Sequence, residues 1–286
     1  MAFLFQFLSR WSLHWLHRLG ALCGWGVYAI SPDYRRRFQE HAALAGIGTP
    51  DQRAAIAAAG HMVMELPRLW LGAPVAVAWD GAHHIEDAMR EQRGIIFLTP
   101  HLGSFEVTAQ AYASRFGVSG AAMTVLYRPA RQPWLRRIVE ASRARPGLHT
   151  APANLAGVKQ LIKALRAGEC VGLLPDQVPP EGQGVWVPFF GREAYTMTLA
   201  ARLAQQTGAR IVLAWGERLP AGTGYRVCVR PYEGLVPRDL AEATSQISQA
   251  MEQVIRMLPS QYLWGYARYK QPRQPEAFAV LESHKE

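Results

Sequence analysis

The sequence predicts an α/β fold: a single-domain sandwich in which helices flank a mainly parallel central sheet. Short apolar runs with the β-branched and aromatic composition of buried strands alternate along the chain with longer stretches of helical periodicity. No internal repeat and no linker interrupts the sequence of 286 residues. Because 49% of the residues are apolar, the chain can build a full core.

Residues 1–30 predict a membrane-associating amphipathic helix ahead of the main domain. One stripe at helical spacing is polar and mostly basic; it consists of Gln6, Arg10, His14, His17 and Arg18. Phenylalanine, leucine and tryptophan cover the rest of the surface, as in helices that lie in a membrane interface. The uninterrupted apolar run at 19–30 is shorter than the roughly 20 residues that span a bilayer, and no signal-peptide cleavage site follows it. A helix buried in the domain and a tilted spanning helix are the alternatives.

Further helices are predicted where apolar residues recur at helical spacing between capping signals. Asp51 caps the start of one helix, Pro67 kinks or ends it, and Gly168 closes another. The predicted helices span residues 33–45, 51–70, 105–115, 133–143, 155–167, 195–207 and 239–257.

Strands are predicted at the short apolar runs, of which the one closed by Pro100 is the clearest. The predicted strands span residues 93–99, 121–126, 170–174, 210–216 and 225–230. Strands and helices alternate without a break from residue 31 to residue 275, which we interpret as one domain. Residues 276–286 are expected to form a loose tail.

Polar side chains follow three of these strands at the point where each strand ends. His101 and Glu106 follow the first, Tyr127 and Arg128 the second, and Asp176 the third. Open α/β sheets place their chemistry at the carboxyl ends of parallel strands, so these residues are expected to converge.

His101 and Glu106 predict a general base and its orienting carboxylate. The two residues lie five positions apart on a strand-to-helix loop, where the carboxylate can fix the imidazole tautomer and stabilise its cation. The segment offers neither a Gly-x-Ser-x-Gly serine nor a cysteine, so the nucleophile is expected to belong to the substrate. Such a spacing also arises by chance, and a lone histidine is usually a surface or core residue.

The formal net charge of +9 is compatible with a nucleic acid, an anionic membrane or an acidic substrate. The basic residues are scattered through the predicted helices, and no nucleic-acid-binding motif accompanies them. We therefore expect a membrane or a phosphorylated substrate and no nucleic acid; a merely solvated surface is the alternative. Cys23, Cys170 and Cys228 are widely separated and predict neither a disulfide nor a metal site.

Several motifs occur together over most of the chain. They are His101-x-x-x-x-Glu106, Tyr127-Arg128-Pro129, Arg143-x-Arg145, Leu-Pro-Asp-Gln at 174–177, Val-Pro-Phe-Phe-Gly at 187–191, Thr196-x-Thr198, Ala204-x-x-Thr-Gly-Ala, Gln-Tyr-Leu-Trp at 261–264 and Arg268-x-Lys270. In this order they resemble the lipid A secondary (late) acyltransferase family, the lauroyl and myristoyl transferases within the lysophospholipid acyltransferase superfamily. Gln177 with the Val-Pro-Pro that follows it, and the lack of a histidine after Trp264, depart from the common pattern.

The resemblance implies transfer of a fatty acyl group from acyl carrier protein to a hydroxyl of a hydroxyacyl chain on a phosphorylated glucosamine-disaccharide lipid. It implies a place at the cytoplasmic face of the inner membrane. Transfer from a thioester needs no metal and the sequence offers no metal site, so we expect no cofactor. It also implies that His101 and Glu106 are the catalytic pair and that the reaction needs Arg143 and Asp176.

The remaining residues each allow more than one role. Arg143 is expected to face the oxyanion or a substrate phosphate, and Asp176 either orients an arginine or is a satisfied buried carboxylate. Phe189 and Phe190 either line a channel for the acyl chain or pack in the core. The candidate substrate-binding residues are Tyr127, Arg128, Arg145, Phe189, Phe190 and Thr196. A glycerophospholipid acyltransferase, a hydrolase and a non-catalytic lipid-binding membrane protein are the alternative functions.

Overall fold

A seven-stranded sheet runs through the computed structural model of the chain, which describes residues 2–117, 121–127, 132–143 and 145–274. Seven strands form this sheet, and β6 and β7 form a separate hairpin. In chain order the strands are β1 (Val77–Asp80), β2 (Ile95–Leu98), β3 (Met123–Tyr127), β4 (Leu148–Pro152), β5 (Cys170–Leu173), β6 (Gly184–Phe189), β7 (Arg192–Met197), β8 (Arg210–Arg218) and β9 (Tyr225–Pro231). The sheet order is β1-β9-β8-β2-β5-β3-β4. Neighbours are parallel except for β8 and β9, so the predicted mainly parallel sheet is confirmed.

Helices lie on both sides of the sheet. They are α1 (Ala2–Leu8), α2 (Leu13–Ile30), α3 (Pro32–Leu44), α4 (Thr49–Met64), α5 (Leu66–Leu71), α6 (His83–Arg90), α7 (Phe105–Arg115), α8 (Pro133–Arg143), α9 (Leu155–Arg166), α10 (Leu199–Thr207) and α11 (Leu240–Met257). The α/β class and the flanking helices are therefore as predicted.

Two apolar cores form because successive side chains of a strand point to opposite faces of the sheet. In β2, Ile96 and Leu98 pack with residues of α9, α10 and α11, whereas Ile95 and Phe97 pack with residues of α6 and α7. All four side chains of β2 are buried, which explains why its sequence is continuously apolar.

Several elements differ from the sequence prediction. The prediction does not include the edge strands β1 and β4: each is short and partly exposed, and β4 has no continuous apolar run. No helix is predicted at 83–90, where His83 and His84 begin α6. The helix predicted from residue 195 starts only at Leu199, because Tyr195–Met197 pair with β6 in the hairpin. The predicted helix at 51–70 breaks at Glu65, next to Pro67, as that proline indicated.

The N-terminal region forms two helices instead of one and is partly integrated into the domain. One side of α2 packs on α4 so closely that a Cβ added to Gly60 would come within 1.8 Å of the carbonyl oxygen of Gly20. The other side leaves Trp15, Leu22 and Ile30 exposed. Within the described ranges, no helix has both the length and the apolar character that crossing a membrane requires. One side of α2 is therefore buried in the domain, as the alternative interpretation expects. Membrane association remains a prediction for its other side.

Candidate active site

Strand register brings His101 and Asp176 together at the carboxyl edge of the sheet. Parallel pairing places Leu98, the last residue of β2, opposite Leu173, the last residue of β5. His101 and Asp176 each lie three positions beyond these paired residues, so the two loops deliver them side by side. The convergence of strand ends predicted from the sequence is therefore real for this pair.

The carboxylate of Asp176 holds His101 by two hydrogen bonds. Nδ1 of the imidazole lies 2.7 Å from Oδ1, and the backbone N–H of His101 donates to Oδ2 at 2.9 Å. Because a carboxylate only accepts, Nδ1 carries a proton, so the lone pair of the neutral imidazole is on Nε2. Burial alone would raise the pKa of Asp176, but the contacts with His101 outweigh it and hold that pKa below its usual value. The pair thus consists of a charged carboxylate and an imidazole whose neutral form presents Nε2 as its basic nitrogen.

Glu106 has different partners from those the sequence suggested. It is the second residue of α7, and its Oε1 accepts a hydrogen bond of 2.7 Å from Nη2 of Arg143. Its Oε2 accepts from Nε1 of Trp70 at 3.2 Å. The expectation that Glu106 orients His101 is corrected here: the orienting contact is made by Asp176, and Glu106 orients Arg143.

Arg143 is fixed from two sides. Besides the ion pair with Glu106, its guanidinium carbon lies 5.3 Å from the centre of the Tyr127 ring. Its side chain is 21% exposed, which leaves it accessible from the neighbouring cavity. Arg145 instead donates to the backbone carbonyls of Ser142 and Leu69, so it ties α8 to α5.

The other sequence candidates lie elsewhere. Phe189 and Phe190 are buried in the core beside α11, so the packing alternative describes them. Thr196 is buried in β7, where its Oγ1 accepts from Nη2 of Arg268. Arg128 falls outside the residues that the structure describes.

A cavity of about 870 Å³ opens beside His101, Glu106 and Arg143. Apolar side chains dominate its wall between the sheet and α7, including Phe97, Tyr112, Met123, Val125 and Val229. Such a volume and lining suit a long apolar ligand whose reactive end meets a few polar groups. The described site therefore combines an imidazole held by a carboxylate, a fixed cation and an apolar slot.

The sequence predicts neither the contact between Trp70 and Glu106 nor that between Asp176 and His101. A signal for the second was present, since both residues stand at equivalent positions after buried strands that can pair in register. Trp70 gave no such signal, because its position depends on how α5 packs beside α8.

Comparison with known proteins defines the family. Residues 53–271 match the model of the family described as bacterial lipid A biosynthesis acyltransferase. This match takes in His101, Glu106, Arg143 and Asp176. The chain belongs to the bacterial lipid A biosynthesis acyltransferase family, and the resemblance seen in the sequence is confirmed.

Curated relatives agree with this assignment. The chain is 33% identical over 192 residues to the lipid A biosynthesis lauroyltransferase of Escherichia coli (strain K12), covering 66% of this chain and 60% of the relative. It is 28% identical over 187 residues to the lipid A biosynthesis acyltransferase of Haemophilus influenzae, covering 64% and 56%. It is 26% identical over 193 residues to the myristoyltransferase of Escherichia coli (strain K12), covering 66% and 57%. The matched part is less than two thirds of the length of each of these relatives.

Proposed function

We propose that this chain transfers a fatty acyl group from an acyl carrier protein thioester to a hydroxyl on a hydroxyacyl chain of a phosphorylated glucosamine-disaccharide lipid. The observation that carries the proposal is the His101–Asp176 pair beside an apolar cavity of about 870 Å³. Family membership supports the reaction class, because the relatives are named for lipid A acyl transfer. The donor, the acceptor hydroxyl and the residue roles given below are parts of the proposal.

His101 acts as the general base. Nε2 takes the proton of the acceptor hydroxyl while the hydroxyl oxygen attacks the thioester carbonyl. Asp176 stabilises the imidazolium that forms. The resulting tetrahedral intermediate collapses, the C–S bond breaks, and the proton on Nε2 passes to the leaving thiolate. The products are the new ester and the free thiol of the carrier, so no cofactor is consumed.

Arg143 stabilises negative charge near the base. Its guanidinium is held by Glu106 and Tyr127, so it needs little reorganisation when an oxyanion or a substrate phosphate comes within reach. The apolar wall of the cavity receives the acyl chain and keeps water from the thioester. Exclusion of water favours transfer over hydrolysis.

The apolar side of α1 and α2 is the membrane contact. Phe3, Trp15, Leu22 and Ile30 are exposed there, and Arg18 lies over the Trp15 ring at 5.1 Å. Exposed aromatic and aliphatic side chains next to basic ones are typical of helices bound at an anionic interface. We place this face on the cytoplasmic side of the inner membrane, where the lipid acceptor would be presented.

The test is a transfer assay with the full chain, an acylated carrier protein and a purified lipid A precursor, read by mass spectrometry. We expect the acceptor to gain the mass of one acyl group, and the His101→Ala variant to lose this product. A lysophospholipid offered as the competing acceptor distinguishes the glycerophospholipid alternative. Acylation of the lysophospholipid alone, or release of free fatty acid alone, would refute the proposed acceptor.

A further inference from the structure

A second cluster of charged residues is buried next to the active-site loop, the segment 99–104 that carries His101 between β2 and α7. None of its members belongs to the site described above. Glu65 stands between α4 and α5, and Arg218 is the last residue of β8. Nε of Arg218 lies 2.8 Å from Oε2 of Glu65, and Nη2 lies 2.9 Å from Oε1. Their side chains are only 1% and 4% exposed. Burying two charges costs so much solvation that apolar side chains of similar size often stabilise a fold equally well.

Arg218 makes one further bond that apolar side chains could not replace. Its Nη2 also donates to the carbonyl oxygen of Gly103 at 2.8 Å, two residues after His101. Gly103 has a φ of +56°, and a Cβ there would meet the carbonyl oxygen of Gly216 at 2.0 Å. The direction of this carbonyl is therefore set by a glycine conformation and by the guanidinium that binds it.

Gln261 also contacts both Gly103 and Arg218. The N–H of Gly103 donates to the carbonyl of Gln261 at 3.0 Å. The side chain of Gln261 in turn binds both the N–H and the carbonyl of Arg218, at 2.9 and 3.0 Å. Arg218 thus contacts the loop directly and through Gln261.

We propose that Glu65 and Arg218 are positioning residues for the reaction, in that the buried pair fixes the Gly103 carbonyl and with it the loop that presents His101 to the substrate. This inference rests on the proposed function of His101. Glu65 accepts from Nε and from one N–H of Nη2, which fixes the plane of the guanidinium and directs the second N–H of Nη2 at the Gly103 carbonyl. A displacement of about 1 Å at a catalytic group is enough to cost roughly 10²-fold in rate.

The cluster also reaches the N-terminal helix. Nε2 of His17 in α2 lies 3.2 Å from Oε2 of Glu65, which also accepts from the hydroxyl of Tyr225 at 3.0 Å. Three contacts therefore connect α2 to Gly103: His17 with Glu65, Glu65 with Arg218, and Arg218 with the Gly103 carbonyl. Deletion of α2 would remove His17, a partner of Glu65. It would also remove the exposed apolar face of that helix.

The sharpest test replaces both charges together. In the double variant Glu65→Gln/Arg218→Met, the glutamine keeps polar contacts for His17 and Tyr225, and no charge is left buried alone. The donor to Gly103 is lost. We expect the variant to unfold near the temperature of the unmodified chain, with kcat lower by about 10²-fold and KM little changed. Arg218→Lys provides a second variant, since it keeps the charge beside Glu65 but lacks the planar set of donors.

A spectroscopic reading separates positioning from general weakening of the fold. In protein labelled with ¹⁵N-histidine, the hydrogen-bonded Nδ1 proton of His101 is assigned by its absence from His101→Ala. We expect this resonance to move in the double variant and to stay in place in Asp80→Asn/Arg230→Met. That control removes an ion pair of 2.8 Å from the exposed surface of β1 and β9.

Two results would overturn the inference: a folded double variant with unchanged kcat, or a lowered kcat with an unmoved His101 resonance. The resonance needs no substrate and therefore reports the loop even if the reaction class is wrong. Failure of the proposed function would be seen separately, as acylation of the lysophospholipid alone or release of free fatty acid alone, and failure of the role of His101 as full transfer activity in His101→Ala.

Discussion

His101 is hydrogen-bonded to Asp176, 75 positions later in the chain, and not to the carboxylate five positions away in the same loop. The Asp176 carboxylate contacts both the ring and the backbone amide of His101, so it fixes the position of the residue as well as its tautomer. Asp176 is almost completely buried, which excludes water from this contact and strengthens it.

Asp176→Asn tests this relationship most directly. The asparagine oxygen can still accept from the backbone N–H of His101. In that orientation the asparagine NH₂ group faces Nδ1 of His101. The imidazole then carries its proton on Nε2 and can no longer act as a base. We expect kcat to fall by about 10²–10⁴-fold with KM nearly unchanged. Wild-type turnover in a folded Asp176→Asn protein would contradict the assignment.

Glu106→Gln addresses the second carboxylate. The amide keeps an acceptor for Arg143 or Trp70 but loses the charge that holds the guanidinium. Because Glu106 does not contact the base, its replacement is expected to lower kcat less than Asp176→Asn does. Steady-state kinetics of the two variants, measured in parallel, show which substitution lowers kcat more. A larger loss for Glu106→Gln would place this carboxylate closer to the reaction than Asp176.

Arg143→Lys distinguishes geometry from charge. Lysine can pair with Glu106, but its ammonium cannot also lie flat on Tyr127 and offer a second planar donor. We expect a clear fall in kcat, of about tenfold or more, with an unchanged melting temperature. Full activity would mean that a positive charge at this place is sufficient.

Membrane binding is tested by substitution, because deletion of residues 1–30 would also remove the side of α2 that packs on α4. Trp15→Ser/Leu22→Ser changes two exposed side chains, 56% and 72% accessible, and leaves that packed side intact. Each lost apolar contact is worth about 1.5–3 kcal/mol when fully buried, so co-sedimentation with anionic vesicles should drop at least tenfold. Leu235→Ser, at an equally exposed leucine far along the chain, is the control. Equal sedimentation of all three proteins would mean that another surface makes the contact.

The buried Glu65 predicts a pH dependence of stability. Burial by itself raises the pKa of this carboxyl, but Arg218 and His17 hold it at about 2, compared with 4.5 in an unstructured chain. A depressed pKa stabilises the folded state above pH 4.5, and this contribution is lost as the pH falls towards 2. It amounts to about 3 kcal/mol of the free energy of unfolding. Denaturant titrations from pH 6 to pH 3 should show a shallower decline for Glu65→Gln than for the unmodified chain; parallel declines would contradict the prediction.

The sequence by itself determined the fold class and the place of the candidate site. The continuous apolar run of β2 and the similar run of β5 can be buried only as central strands, and polar residues directly after them must then lie at one edge of the sheet. His101 and Asp176 were both identified in this way. The linked motifs also indicated the family before any contact was known.

Only the tertiary structure decided which of these residues touch. Glu106 is near His101 in the chain, but it is part of α7, whose packing carries its side chain towards Arg143 at the end of α8 and Trp70 in α5. Asp176 is far from His101 in the chain, but parallel pairing of β2 with β5 in register places the two at matching points. Spacing along a chain describes neighbours within one element, whereas partners across elements are set by strand register and by helix packing. Strand register also explains why Arg218, the last residue of β8, contacts the active-site loop at Gly103.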